Sequence, residues 1–402
     1  MNKNSLWRVQ SITKNVSATT VAWLVNNKLT KFDAKVNPSL DLRFASKKAT
    51  KEISIKNCLS HCTGLPSEAG SIMLAFNYDL NEIYQTVKYQ PLVDINTDFR
   101  YNNLGFTIGF DAVRTQAGYK CLNSAIEEFT KLIGMKIIIN EPVPKENKVI
   151  PYLNGLPQKT PVSTPFGPAA NIVCTIENLA IFIKFHLNKG DGIIKESVLK
   201  QIYKPIIKSD NIADGFEYGM GTAISTFNCN TVYGHSGVYS QGFINQMLYD
   251  INNQIGVVVL TNAFNPTGIA LAYYIYLALL GDFELADKIF DEYYASVEAL
   301  IKGVTCVPVN ISYFIKDYDL SGKYFNETNG FIKIFTGDNE YYIKVGYLSS
   351  TKLFINQTNI EFNLITPELD SLSNIDPIYF NNSVIGINLI FQCNTLPYIK
   401  IS

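Results

Sequence analysis

Ser11 and Lys14 stand three residues apart in SITKNVSATTVAWLVNN, residues 11–27, where a polar tetrad runs straight into an apolar segment. On a helix, residues three apart share a face, so the amine can sit beside the hydroxyl. A serine hydroxyl is a weak nucleophile until a base takes its proton, and a lysine with a depressed pKa can be that base or relay the proton. The tetrad alone says little, because Ser-x-x-Lys recurs at Ser197–Lys200 and Ser349–Lys352. What distinguishes the first copy is an ordered set downstream: IKNCLSHCTGLPS at 55–67, FRYNNLGFTIGFDAV at 99–113 and YGHSGVYSQGF at 233–243. The second of these holds Tyr101-x-Asn103. That triplet also occurs at 152, 324 and 379, but only the copy at 101 stands just ahead of the LGFTIGFDAV helix. The third holds His235-Ser236-Gly237.

Elements must bring these stretches together. Residues 15–28 read as a largely buried helix with polar interruptions, stopping near Asn26–Asn27. A helix is predicted over 53–62, punctuated by Gly64 and Pro66, and helical periodicity runs through 79–90 and 104–134, broken at Gly118. Residues 142–168 are proline-rich and irregular, and 175–188 form an amphipathic helix. After Asp214 the register changes to strands at 231–237, 243–251 and 255–261, with a hairpin signal at Asn252–Asn253, and 266–280 return to helix. From Tyr313, short alternating runs such as GFIKIF and EYYIKVGY between Gly, Asn, Asp and Ser turns predict a small barrel or sandwich. The chain thus divides into residues 1–285, a linker at 286–312 and an all-β region at 313–402.

Composition narrows the function classes. Lys+Arg 34 against Asp+Glu 35, a net charge of -1, gives no bulk field to attract nucleic acid or an anionic membrane, so partners must be argued from sites. A small-molecule or peptide substrate is expected, and no nucleic acid. The seven cysteines (58, 62, 121, 174, 229, 306 and 393) form neither a disulfide framework nor a zinc-ligand pattern, and no metal or cofactor is expected. The residues at the start show no apolar export signal, and the longest apolar helix candidate, 269–280, is shorter than the ~20 residues a bilayer span needs. The default expectation is therefore cytoplasmic. His61 and His186 read as structural histidines.

The four stretches, in order and with matching flanks, resemble the serine β-lactamase and penicillin-binding-protein superfamily, in particular the class C β-lactamase-related group with its DD-peptidases, D-aminopeptidases and esterases. The resemblance covers residues 7 to about 280. It implies an α+β fold, an antiparallel sheet flanked by helices with a helical subdomain, here followed by the small all-β barrel-like domain. It further implies that Ser11 is the acylated nucleophile and Lys14 its proton partner. Tyr101 would shuttle the proton, its phenol pKa lowered by the lysine cation, and Asn103 would orient Lys14 and the substrate amide. His235-Ser236-Gly237 stands in for the family's Lys-Thr-Gly. Gly237 would let the strand approach the substrate, the N–H of Val238 with that of Ser11 would form the oxyanion hole, and a charged His235 would hold a substrate carboxylate, binding it more weakly above pH ~6.5.

Relatives commonly carry two strands and a helix ahead of the nucleophile, where about ten residues stand here, and they often lie in the cell envelope. A start upstream, or a truncated member, is one expectation. An exposed sheet edge that invites self-association is another. The expected activity is that of a serine hydrolase working through an acyl-enzyme on amide or ester bonds: a D-amino-acid peptide, an ester or a β-lactam. The tail tilts this toward peptidase or esterase. The rival expectation is a non-catalytic binding or assembly protein that keeps the fold.

Overall fold

The computed structural model describes all residues except 38, 140–141, 161–164, 210–215, 304–319, 338–339, 356–359, 366–369, 381–382, 392–393 and 402. The chain forms two compact units, one of residues 1–67 with 91–303 and the other of 68–90 with 304–402.

The first unit is built on helix α1 (Ile12–Asn26), of which residues 12–24 are buried. Six of those are polar, and buried polar groups must find partners. Thr19 and Thr20 hydroxyls donate to the carbonyls one turn back, at 2.8 and 3.0 Å, and Ser17 donates to Pro168 O at 2.7 Å. Asn15 Nδ2 donates to Gly221 O and Thr222 Oγ1, while Tyr249 donates to Asn15 Oδ1. The polar interruptions are thus the bolts between α1 and its neighbours. Lys28, at φ 60°, ends the helix in the left-handed region, close to the expected stop. Helices α2 (Ile55–Leu59) and α3 (Asn103–Gln116) pack on each other and α4 (Ile176–Leu187) lies farther on. α2 and α4 are slightly shorter than their apolar patterns suggested, while the periodicity over 104–134 is two helices, α3 and Ser124–Leu132, parted where Gly118 breaks it.

The sheet of this unit has six antiparallel strands: β1 (Ile207–Ser209), β2 (Phe216–Tyr218), β3 (Ala223–Phe227), β4 (Asn230–Tyr239), β5 (Phe243–Asp250) and β6 (Ile255–Thr261). They lie in reverse chain order, with β6 at one edge and no further strand on it among the described residues. The three expected strands are β4, β5 and β6; β1 to β3 have no apolar alternation that announces them. Helices α5 (Thr267–Leu279) and α6 (Phe283–Gly303) cover one face. Tyr276, Leu277 and Ala286 meet Val232, Leu248 and Val257 there. This corrects the linker expected at 286–312: as far as Gly303 it is helix, held by that apolar contact, and 304–312 lie outside the described residues. Residues 313–319 of the expected β region do too.

The second unit is one antiparallel sheet of nine strands: β7 (Gly322–Asn326), β8 (Gly330–Gly337), β9 (Glu340–Val345), β10 (Thr351–Lys352), β11 (Phe354–Ile355), β12 (Ile360–Ile365), β13 (Asp370–Phe380), β14 (Ser383–Phe391) and β15 (Asn394–Lys400). Its order, β10-β9-β8-β7-β15-β14-β13-β12-β11, joins the first strand to the last. Residues 68–90 belong to this unit, which the sequence did not suggest. Tyr78 is buried there, its hydroxyl accepts the Phe331 N–H at 2.8 Å, and Tyr347 N–H donates to Phe76 O at 3.1 Å.

Candidate active site

Ser11 is the N-cap of α1, at φ -65°, and the preceding Gln10 is held at φ 51°, a strained value for a non-glycine residue that turns the chain sharply into the helix. One turn on, Lys14 is fully buried, with Nζ 3.0 Å from Ser11 Oγ, 2.7 Å from Asn103 Oδ1 and 2.9 Å from Ala169 O. Burial holds its pKa well below the ordinary lysine value. The Tyr101 hydroxyl donates to Ser11 Oγ at 2.7 Å, and its ring lies 4.6 Å from Lys14 Nζ. The structure therefore brings Ser11, Lys14, Tyr101 and Asn103 into one hydrogen-bonded cluster, drawn from residues 90 apart in the chain.

One electrostatic expectation changes. The Tyr101 phenol is not acidified by a lysine cation: burial pushes its pKa above the ordinary tyrosine value, against the smaller opposing effect of the Ser11 bond. The phenol therefore stays protonated and donates to Ser11 Oγ.

Tyr101 and the adjoining Asn102 are held by residues outside the hydrogen-bonded cluster. His61, 1% exposed and at φ 58°, accepts the Asn102 N–H on Nδ1 at 3.1 Å, and its O accepts the Arg100 N–H at 3.0 Å. Its ring centroid is 4.4 Å from that of Tyr101, within a cage with Phe99, Phe106 and Tyr218. Asn102 turns the other way, donating to Pro66 O and Ser67 O and capping α3 at Gly105 N–H. The turn after α2 is thus the template on which 100–103 are laid. Ala169 lies just past the proline-rich stretch, in the short helix Gly167–Ala170. Its carbonyl meets Lys14 through backbone, which leaves no mark in side-chain types.

The β4 corner differs from its expectation. His235 is 4% exposed and both ring nitrogens are engaged: Nδ1 lies 2.6 Å from Ser236 O and Nε2 2.8 Å from the Tyr218 hydroxyl. A carbonyl only accepts, so Nδ1 carries the proton and Nε2 accepts from Tyr218. Burial first, then the charge Lys14 would carry, lowers the His235 pKa to about 3, against the Ser236 bond. His235 is neutral and is not the cation expected for a substrate carboxylate. Gly237 is tight for another reason than expected: a Cβ there would lie 2.0 Å from Val9 O and 3.3 Å from Gln10 Cβ. Its missing side chain admits the turn that leads into Ser11. Val238 is 46% exposed on the same segment, past Gly234, where the pairing of β3 with β4 ends.

Among the described residues no group of His, Cys, Asp and Glu is arranged to hold a metal, and no helix is long and apolar enough to cross a membrane. Cys58, Cys62 and Cys174 are buried thiols, Cys121 and Cys229 exposed ones; Cys306 and Cys393 lie outside the described residues.

The Beta-lactamase family model matches residues 1–280. The chain belongs to the beta-lactamase family. Solved structures agree on the fold at low identity. An octameric penicillin-binding protein homologue from Pyrococcus abyssi is 17% identical, with a TM-score of 0.62 over 99% of this chain and 89% of that one. A D-stereospecific amidohydrolase from Streptomyces sp. is 17% identical, with a TM-score of 0.54 over 65% of this chain and 83% of that one. The D-amino acid amidase of Ochrobactrum anthropi SV3, complexed with L-phenylalanine amide, is 18% identical, with a TM-score of 0.54 over 65% and 78%. No curated protein matches the chain. This beta-lactamase family member thus has the penicillin-binding-protein-like α+β fold that its motifs implied, with an all-β C-terminal region.

Proposed function

We propose that this chain is a serine hydrolase acting through an acyl-enzyme on amide or ester bonds, with Ser11 as nucleophile. The observation that carries the reading is the position of Ser11 Oγ, between the Tyr101 hydroxyl at 2.7 Å and Lys14 Nζ at 3.0 Å. In the neutral form that acting as a base requires, the Lys14 amine has two N–H donors and one lone pair. Its donors are spent on Asn103 Oδ1 and Ala169 O, so the lone pair is left for the Ser11 proton. Ser11 Oγ then attacks the substrate carbonyl while Lys14 takes the proton, and the Tyr101 hydroxyl, protonated and already on Oγ, delivers a proton to the leaving group and is refilled by Lys14. The N–H groups of Ser11 and Val238 hold the oxyanion. Water then attacks the acyl group by the same route in reverse.

The substrate end of the reading is an amino-acid amide, peptide or ester rather than a substrate chosen by a free carboxylate. A neutral His235 with both nitrogens engaged supports this, as does the likeness to the amidohydrolase and amidase folds. Self-association through the outer edge of β6 belongs to the same reading, and light scattering of the purified chain checks it.

The test is covalent capture. Folded protein incubated with a fluorophosphonate, and separately with a fluorescent penicillin, is digested and examined by mass spectrometry for an adduct on Ser11. An adduct absent from Ser11→Ala supports the reading. No adduct with either reagent rejects it in favour of a non-catalytic binding or assembly protein.

A further inference from the structure

The outward face of β7, β8, β9 and β15 carries a pattern that the candidate active site does not use. Lys323 stands directly opposite Lys333 across β7 and β8, and Lys333 directly opposite Lys344 across β8 and β9. Like charges placed opposite each other across antiparallel strands destabilise a sheet. No ion pair among the described residues relieves the three. Two of them are instead steadied on rings: Lys323 Nζ is 5.5 Å from the Phe331 centroid and Lys333 Nζ 5.7 Å from that of Phe335. These strands lie inside the sheet, so the lysines do not guard an edge against pairing.

An apolar row runs beside the cationic one. Ile399 lies opposite Phe325, and Phe325 opposite Phe331; Ile401 flanks Lys323, donating its N–H to the Lys323 carbonyl at 2.8 Å. Ile399 is 70% exposed, Ile401 57% and Phe325 42%, while the alternate residues Tyr324, Ile332, Ile343 and Tyr398 are buried. A lone exposed apolar side chain is ordinary, but a contiguous row next to three lysines in register marks an interaction surface.

We propose that this face docks on an anionic lipid surface, with Lys323, Lys333 and Lys344 at the phosphate headgroups and Phe325, Ile399 and Ile401 in the interfacial layer. The chain's net charge of -1 gives no overall attraction, so the local row supplies it. A single-stranded polyanion would use the lysines but leave the two isoleucines in water. A second copy meeting this face with its own would set lysines against lysines, because a twofold contact pairs a patch with itself.

The experiment is co-sedimentation of the full chain with vesicles of phosphatidylglycerol and phosphatidylcholine in equal parts, and with phosphatidylcholine alone, at about 0.05 M and about 0.5 M salt. Binding to the mixed vesicles at low salt, reduced at high salt and absent on phosphatidylcholine, is expected. Replacing all three lysines by glutamine should lower the partition on the order of a hundredfold, and the corresponding arginine variant should retain it. Phe325→Ser with Ile399→Ser should lower it about tenfold. The glutamine variant relieves repulsion, so its melting temperature should match or exceed that of the parent, separating lost binding from lost folding. No association with the mixed vesicles, undiminished association of the glutamine variant, or loss in that variant of oligothymidylate binding or of a dimer with vesicle binding untouched, would each overturn the proposal.

Discussion

The two sides of the candidate active site were read from motifs of the same kind and fold to different chemical states. On the α3 side, Tyr101 and Asn103 reach Ser11 and Lys14 by direct hydrogen bonds of 2.7 Å each. On the β4 side, His235 is turned inward, its nitrogens tied to Ser236 O and Tyr218. Motif order told where each residue lies in the site. It did not tell its protonation, because that depends on burial and on partners such as Tyr218, which belongs to no motif.

Substitutions should separate the two sides, and the largest effect belongs to the centre. Ser11→Ala should lose covalent labelling altogether, and Lys14→Met should lower acylation by at least about a thousandfold, read as the rate of fluorophosphonate adduct formation. Equal labelling of Lys14→Met and the parent would contradict its role as base. Tyr101→Phe keeps the ring against His61 and removes only the hydroxyl, and should cost about a hundred- to a thousandfold in kcat. On the other side, His235→Gln should keep kcat/KM within about tenfold while costing about 1–3 kcal/mol of stability by disturbing the Tyr218 partner. A His235→Gln loss as large as that of Tyr101→Phe would put both sides in the chemistry and erase the contrast.

Titration sharpens the same contrast. With a His235 pKa of about 3, KM for a carboxylate-bearing substrate should show no step near pH 6.5, contrary to the behaviour of a charged histidine. The acidic limb of kcat/KM should instead follow Lys14, with activity falling as pH drops through its lowered pKa. Stability gives a smaller, broader signal. All three histidines of the chain are buried and have lowered pKa values, about 3 for His186 and His235. Below the unfolded value of ~6.5 the unfolded chain takes up protons that the folded one refuses. Stability should therefore fall as pH drops from 6.5 toward 3, at up to about 4 kcal/mol per pH unit, in urea titrations across that window. A urea midpoint unchanged between pH 6.5 and 5 would show that these histidines are solvated.

The smallest expected effect concerns His61. His61→Asn should lower kcat several-fold with KM nearly unchanged if the residue acts by placing Tyr101, and the loss should be absent when Tyr101 is already Phe. Additive losses in the double variant would make His61 merely structural.

The sequence determined a good deal by itself. Ser11 and Lys14 three apart at a helix start, Tyr101 and Asn103 ahead of an apolar helix, and the strands at 230–261 are local patterns, and local patterns survive folding. The alternating runs of the tail likewise announced an all-β region, because a strand buried on one face must alternate. Tertiary structure decided the rest. The Ala169 carbonyl reaches Lys14 through backbone that no side-chain code records. Residues 68–90 join the second unit because Tyr78 and Phe76 find partners there, and residues 283–303 are helix because Ala286 has a sheet to cover. The lowered pKa values of Lys14 and His235 are decided there too, since a group's charge depends on the water it has lost, and only packing of distant segments removes that water.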